Sequence, residues 1–202
     1  MRQTASTQHP WTGSVVDVMR NDSPPPSNVP VDLPIEARLT AAVERYGEAG
    51  VVERASALLA GKHAGEDFLL YAGGRHAQGL LDGAPALYWP ELWGARTLLH
   101  VWNADAAEAV VSGLGNQSWR VREMCARVSM ERRLEAVAEL TLLTSDPVPR
   151  VRAAALRALG AVGESAQAHT IEVRLNDRDK DVRRAAQQSR DALRTRLSGQ
   201  DG

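Results

Sequence analysis

The chain has 202 residues, 44% of them apolar and 24% charged, with a formal net charge of −1. A chain of this size can bury roughly 70% of its unfolded surface as one domain or a short repeat array, and no run approaches the roughly 18 unbroken apolar residues of a membrane helix, so no bilayer span is expected. The balance also disfavours a committed nucleic-acid binder: residues 119–202 carry 16 basic and 12 acidic side chains against 8 and 13 before them, an asymmetry far short of a strongly basic footprint.

In chain order, the first segment is 1–31. Its "RNDSPPPSNVP" combines Pro, Ser and Asn with too few apolar residues to form a core, so it reads as a disordered arm. The preceding "TASTQHPWTGS" is polar and lacks the apolar stretch of a secretory signal. Trp11 and "SVVDVM" suit either a docking motif or an inert tail, and the behaviour of chain termini favours the tail.

Residues 32–87 read as irregular helices that cap the C-terminal part of the chain. Ile35, Leu39, Ala42, Val43 and Tyr46 recur at helical spacing behind Asp32 and Pro34, and Gly47 stops the run. A second helix is expected over 49–60, ending at Gly61, and a third from near Glu66. That third helix meets Gly73 and Gly74 in "YAGGRHAQG", each costing about 1 kcal/mol relative to Ala in a helix interior. Either a ligand approaches beside Arg75 and His76, or the glycines allow close helix packing or a break; packing is the commoner reason.

The next stretch, "YWPELWGARTLLHVW", holds Tyr88, Trp89, Trp93 and Trp102, four of the nine aromatic residues. Helical spacing puts Leu92, Ala95, Leu99 and Trp102 on one stripe, expected to stack, and Trp89, Trp93, Arg96 and His100 on a second that is left available.

From Asn116 onward the sequence repeats. "NQSWRVREMCARV", "DPVPRVRAAALRA" and "DRDKDVRRAAQQS" each open on an Asx residue (Asn116, Asp146, Asp177) and reach Val-Arg five and six residues later. The valines are Val121, Val151 and Val182, a period of 30 and then 31. Small or apolar residues occupy the positions three, four and seven after each valine: Met124, Cys125 and Val128; Ala154, Ala155 and Ala158; Ala185, Ala186 and, more weakly, Ser189. That spacing gives each copy a helix with one buried stripe. Further helical stretches precede each copy at 106–114, 134–143 and 166–175, so the unit is helix, turn, helix.

"DPVPRVRAAALRALGAVGE" resembles the HEAT repeat in its short form, the form also found in phycobilisome lyases. The resemblance is strong over about 104–195, and "ELWGARTLLHVW" fits as an earlier, degenerate copy in which Trp93 replaces the arginine and Arg96 a small residue. It implies an all-α, right-handed solenoid of helical hairpins over 88–202, with Val121, Val151 and Val182 buried. It further implies that Asp and Arg beside each valine link neighbouring repeats, at Asp146/Arg152 and Asp177/Arg183; Asn116/Arg122 departs by losing a charge.

Catalytic signatures are absent: the chain has no HExxH, CxxC, GxSxG or phosphate-cradling glycine loop, and neither cofactor nor metal is expected. Cys125 sits at a buried repeat position and reads as core, its being the one cysteine suits a reducing cytosol, and the Arg-over-Lys bias suggests a bacterium. His63, His76, His100 and His169 lack mutual ligand spacing. The repeat arginines read as a solvated face with links between repeats. The resemblance admits alkylpurine DNA glycosylases, for which Trp93, Arg96, Trp119 and Glu123 supply the residue types without any motif to fix them, and bilin lyases. Fold alone carries neither activity. The leading expectation is a monomeric, cytoplasmic, non-enzymatic scaffold that binds an unknown protein partner, with Trp89, Trp93, Arg96, His100 and Trp119 the candidate contacts; for the aromatic stretch, packing of the junction between the irregular helices and the repeats is favoured over a binding patch, and the two roles can coexist for different side chains. DNA binding, glycosylase-like or not, is the alternative.

Overall fold

The computed structural model describes residues 29–199, so the arm expected over 1–31 lies almost wholly outside the described residues. Among them the secondary structure is helical throughout, with no strand, and no helix is long and apolar enough to cross a membrane. The chain divides between Asn103 and Ala104 into two compact units.

In the first unit α1 (Ile35–Leu59) contains both helices expected over 35–60, merged across a kink at Gly47, whose φ of 71° is left-handed and favours glycine. Helix α2 (Glu66–Gly73) and α3 (Arg75–Leu81) are separated at Gly74, and α4 (Trp89–His100) carries the aromatic stretch. Leu39, Val51, Val52, Leu58, Phe68, Leu69 and Leu98 form the core. Helix α4 packs along α1 so closely that a Cβ on Gly94 would lie 2.5 Å from the Ala55 carbonyl oxygen. At the kink, Tyr46 donates to Asp67, which also pairs with Arg45 at 3.0 Å, and the Arg54 guanidinium covers the Tyr46 ring at 4.4 Å.

The second unit is a solenoid of three hairpins. Their first helices are α5 (Ala107–Gly113), α7 (Val137–Leu143) and α9 (Ala168–Val173); their second helices are α6 (Trp119–Arg132), α8 (Pro149–Val162) and α10 (Lys180–Ser198). The second helices pack side by side, α6 on α8 and α8 on α10, and each first helix packs on its own second helix. As the repeat pattern requires, Val121, Val151 and Val182 are fully buried, with Cys125, Val128, Ala155, Ala158, Ala185 and Ala186. Ser189 is a weak match by hydropathy but a good one by size. A Cβ on Gly160 of α8 would lie 2.8 Å from the Ser189 Cα, so the two backbones nearly touch, and the Ser189 hydroxyl donates to the Ala185 carbonyl at 2.7 Å.

Candidate functional site

In the first unit the aromatic residues form a ladder. His76 stacks on Trp89 at 6.5 Å between centroids, Trp89 on Trp93 at 6.1 Å, and Tyr88 leans on Trp89 at 5.1 Å. Trp93 is 6% exposed, and a Cβ on Gly73 would sit 2.7 Å from its Cε3. Gly73 is therefore the space into which the indole packs. Gly74 holds φ 60°, ψ −139°, and a Cβ there would meet Arg38 Nη1 at 2.4 Å. The paired glycines thus serve packing and a helix break, the commoner of the two readings.

The stripes on α4 differ from the expected ones. Glu91, Trp93, Gly94, Ala95, Thr97 and Leu98 are buried, whereas Leu92, Leu99 and Trp102 are half-buried. The physical reason is Gly94: the backbone approach to α1 draws the contact line through glycine and away from the leucines. Aligned by burial rather than by hydropathy, Glu91, Gly94, Ala95 and Leu98 occupy the places of Val121, Met124, Cys125 and Val128. Of the residues expected to meet a partner, Trp93 is packing, Trp89 is half-buried, and Arg96 and His100 are exposed. His100 lies with Glu36, Thr40, Glu44, Leu39, Val43 and Val101 on a shallow groove of about 370 Å³. Arg38, buried, donates to the Leu70 carbonyl at 3.3 Å, and burial together with the Arg96 charge lowers its pKa.

The second unit is held by a ladder of arginines. Arg122 Nε donates to Asp146 Oδ2 at 2.7 Å, and Arg152 donates through Nη2 and Nε to Asp177 at 2.7 and 3.0 Å. The pairs run forward, from the arginine of one repeat to the aspartate of the next, and are bidentate in the second case. Each arginine also reaches back to its own turn: Arg122 to the carbonyls of Asn116 and Gln117, Arg152 to Asp146 and Pro147, Arg183 to Asp177 and Arg178. The Asx side chains close those turns by accepting from Ser118, Val148 and Asp179 backbone N–H groups at 2.8, 2.8 and 2.9 Å. Burial by itself would raise the Asp177 pKa, but hydrogen bonds from Arg152 and the Asp179 backbone N–H, with the charges of Arg152 and Arg174, hold it below the usual carboxylate range. Cys125 is buried, and desolvation pushes its thiol well above the ordinary range, which suits a core residue and not a nucleophile.

Trp119, the remaining candidate, lies in this unit at the start of α6. The guanidinium of Arg120 stands over its ring at 4.4 Å and that of Arg150, from α8, at 5.4 Å, while Arg150 Nη2 pairs with Glu123 at 3.1 Å. Glu123 is thus an ion-pair partner within an arginine-rich patch. Charge is divided between the two helix layers: α6, α8 and α10 hold thirteen basic and four acidic residues, whereas α5, α7 and α9 hold Glu108, Glu139 and Glu172 and no lysine or arginine. Counting charge by halves of the chain averages these layers together and hides Arg120, Arg127, Arg150 and Arg157. Counting by element within the repeat period would have found them.

Residues 107–190 match the family described as HEAT repeats, and the forward Arg–Asp ladder and the hairpins, apart from the last turns of α10, lie in this span. These residues are HEAT repeats. No curated protein and no solved structure matches the chain. In these HEAT repeats each second helix has two jobs: one stripe, with the ladder, stacks the array, and the opposite stripe is left to solvent. Among the described residues no group of three or more His, Cys, Asp or Glu side chains is arranged to hold a metal ion.

Proposed function

We propose that the protein is a non-enzymatic scaffold whose HEAT repeats bind a protein partner through the second-helix layer. The observation that carries this reading is the patch of Trp119, Arg120, Glu123 and Arg150, where side chains of two consecutive repeats assemble on one surface. Tryptophan and arginine are the residue types that most often anchor protein interfaces, and stacked repeats offer extended surfaces for such contacts. Arg96 and His100, exposed in the first unit, are secondary candidates. In this reading the chain acts as a cytoplasmic monomer, a location that its single, buried cysteine suits.

The test is affinity capture from the native cell, with mass spectrometry, on the wild type and on the double variant Trp119→Ala/Arg150→Ala. The scaffold reading expects a protein enriched by the wild type and lost from the variant while the variant keeps a wild-type helical melt. The same proteins captured equally by both chains would contradict it.

A further inference from the structure

We infer that the patch on α6 and α8 takes an acidic segment of the partner protein, with carboxylates spaced about 9 Å apart. This rests on the scaffold reading and adds the chemistry of what it binds. Arg120 and Arg127 lie seven residues apart on α6, Arg150 and Arg157 seven apart on α8, and the two pairs are related by the repeat period of 30. Seven residues advance a helix by about 10 Å and nearly two full turns, so each pair lies along one face. Packed helices lie about 8–10 Å apart, which places four guanidinium groups near the corners of a patch of that edge. That the two faces adjoin is fixed by the Arg150–Glu123 pair and by Arg150 standing over the Trp119 ring. Arg127 and Arg157 are exposed, and neither forms a salt bridge among the described residues.

The limits of the patch select its occupant. One period further on, the places of Arg150 and Arg157 are held by Asp181 and Gln188, so the arginine pairs stop after two repeats. The layer of first helices is acidic, and the whole chain carries −1. A nucleic-acid duplex, with one negative charge per about 1.7 Å, needs a longer basic track than this. A peptide in the polyproline II conformation, with three residues per turn and a rise of about 3.1 Å per residue, keeps carboxylates at every third residue on one face about 9 Å apart, which matches both edges of the patch. Guanidinium forks bind such carboxylates bidentately, and Trp119 offers an apolar surface between them.

Fluorescence anisotropy with the full chain at about 150 mM salt tests the inference. The probes are a labelled peptide with glutamate at every third position, the same peptide with glutamine, and a single strand and a duplex of DNA of comparable length. The glutamate peptide is expected to bind about tenfold tighter than the glutamine one, and Arg127→Gln/Arg157→Gln to remove about that factor. The control Arg178→Gln/Arg194→Gln, which removes the same charge elsewhere in the repeats, is expected to change binding less than about twofold. Equal binding of the two peptides, equal loss in both double variants, or DNA bound more tightly than the glutamate peptide would each overturn the inference. All four arginines are exposed, so both variants should keep the fold, and their melts are expected to match that of the wild type. A partner captured through Trp119 whose binding segment has no acidic residues would overturn this inference and leave the scaffold reading standing.

Discussion

Arg152 and Asp177 face each other across consecutive repeats with side chains only 5% and 4% exposed, joined by two hydrogen bonds from one guanidinium. The same arginine is shielded from solvent and donates its Nη1 hydrogens to the carbonyls of Asp146 and Pro147. Removing one partner strands the other in a buried site, which typically costs about 3–5 kcal/mol. Arg152→Ala should therefore lower the thermal midpoint, followed by circular dichroism, far more than Arg157→Ala on the exposed side of the same helix. Equal midpoints for the two variants would show that the ladder contributes nothing.

The same pair sets an acid dependence. Asp177 is held below the usual carboxylate range in the folded chain, whereas its unfolded value is about 3.9. A depressed folded pKa gives stability that is present above the unfolded pKa and lost as pH falls through the folded one. Denaturant midpoints should drop below about pH 4, and the drop should be shallower in Arg152→Ala, which lacks the hydrogen bonds and the charge that Arg152 supplies to Asp177. Parallel acid limbs in the two proteins would contradict the assignment.

Val151 is fully buried between helices of adjacent repeats. Val151→Asp would place a carboxylate there with no designed partner, a loss of several kcal/mol. A melting temperature within a degree or two of wild type would remove the helix register of the best-matched repeat.

On α4 the predictions separate packing from surface. Trp93→Ala should cost about 3–5 kcal/mol of stability, since the indole fills the space over Gly73. Arg96→Ala should leave the denaturant midpoint within about 0.5 kcal/mol, as is usual for exposed side chains. Leu98→Ala should destabilise more than Leu99→Ala, because Leu98 is fully buried and Leu99 only half-buried. The reverse order of the two leucines would restore the stripe expected from hydropathy.

The repeats were legible in the sequence because Asx, Val, Arg and small residues return at a fixed period, and each position has one physical task. The first unit was less so. Its helices were readable from their spacing and stop glycines, including the stop at Gly47 that the structure shows as a kink, but the face that α4 buries is decided by Gly94, a residue with no hydropathy to report. Trp93 was ambiguous for a related reason: whether an indole is anchor or packing depends on the partner surface, here the bare Gly73, which lies twenty residues away. The Trp119 patch was half visible. Its residues were present in the motif, but their joining required Arg150 to come from the next repeat.

The most direct measurement is a calorimetric titration of the captured partner into wild type, Trp119→Ala and Trp93→Ala, with the melt of each protein recorded beside it. If the second-helix layer of the repeats is the binding surface, Trp119→Ala should weaken binding by about 2 kcal/mol or more with its melt nearly unchanged, while Trp93→Ala should lose stability and lose binding only as the fold is lost. Full affinity in Trp119→Ala would contradict the account.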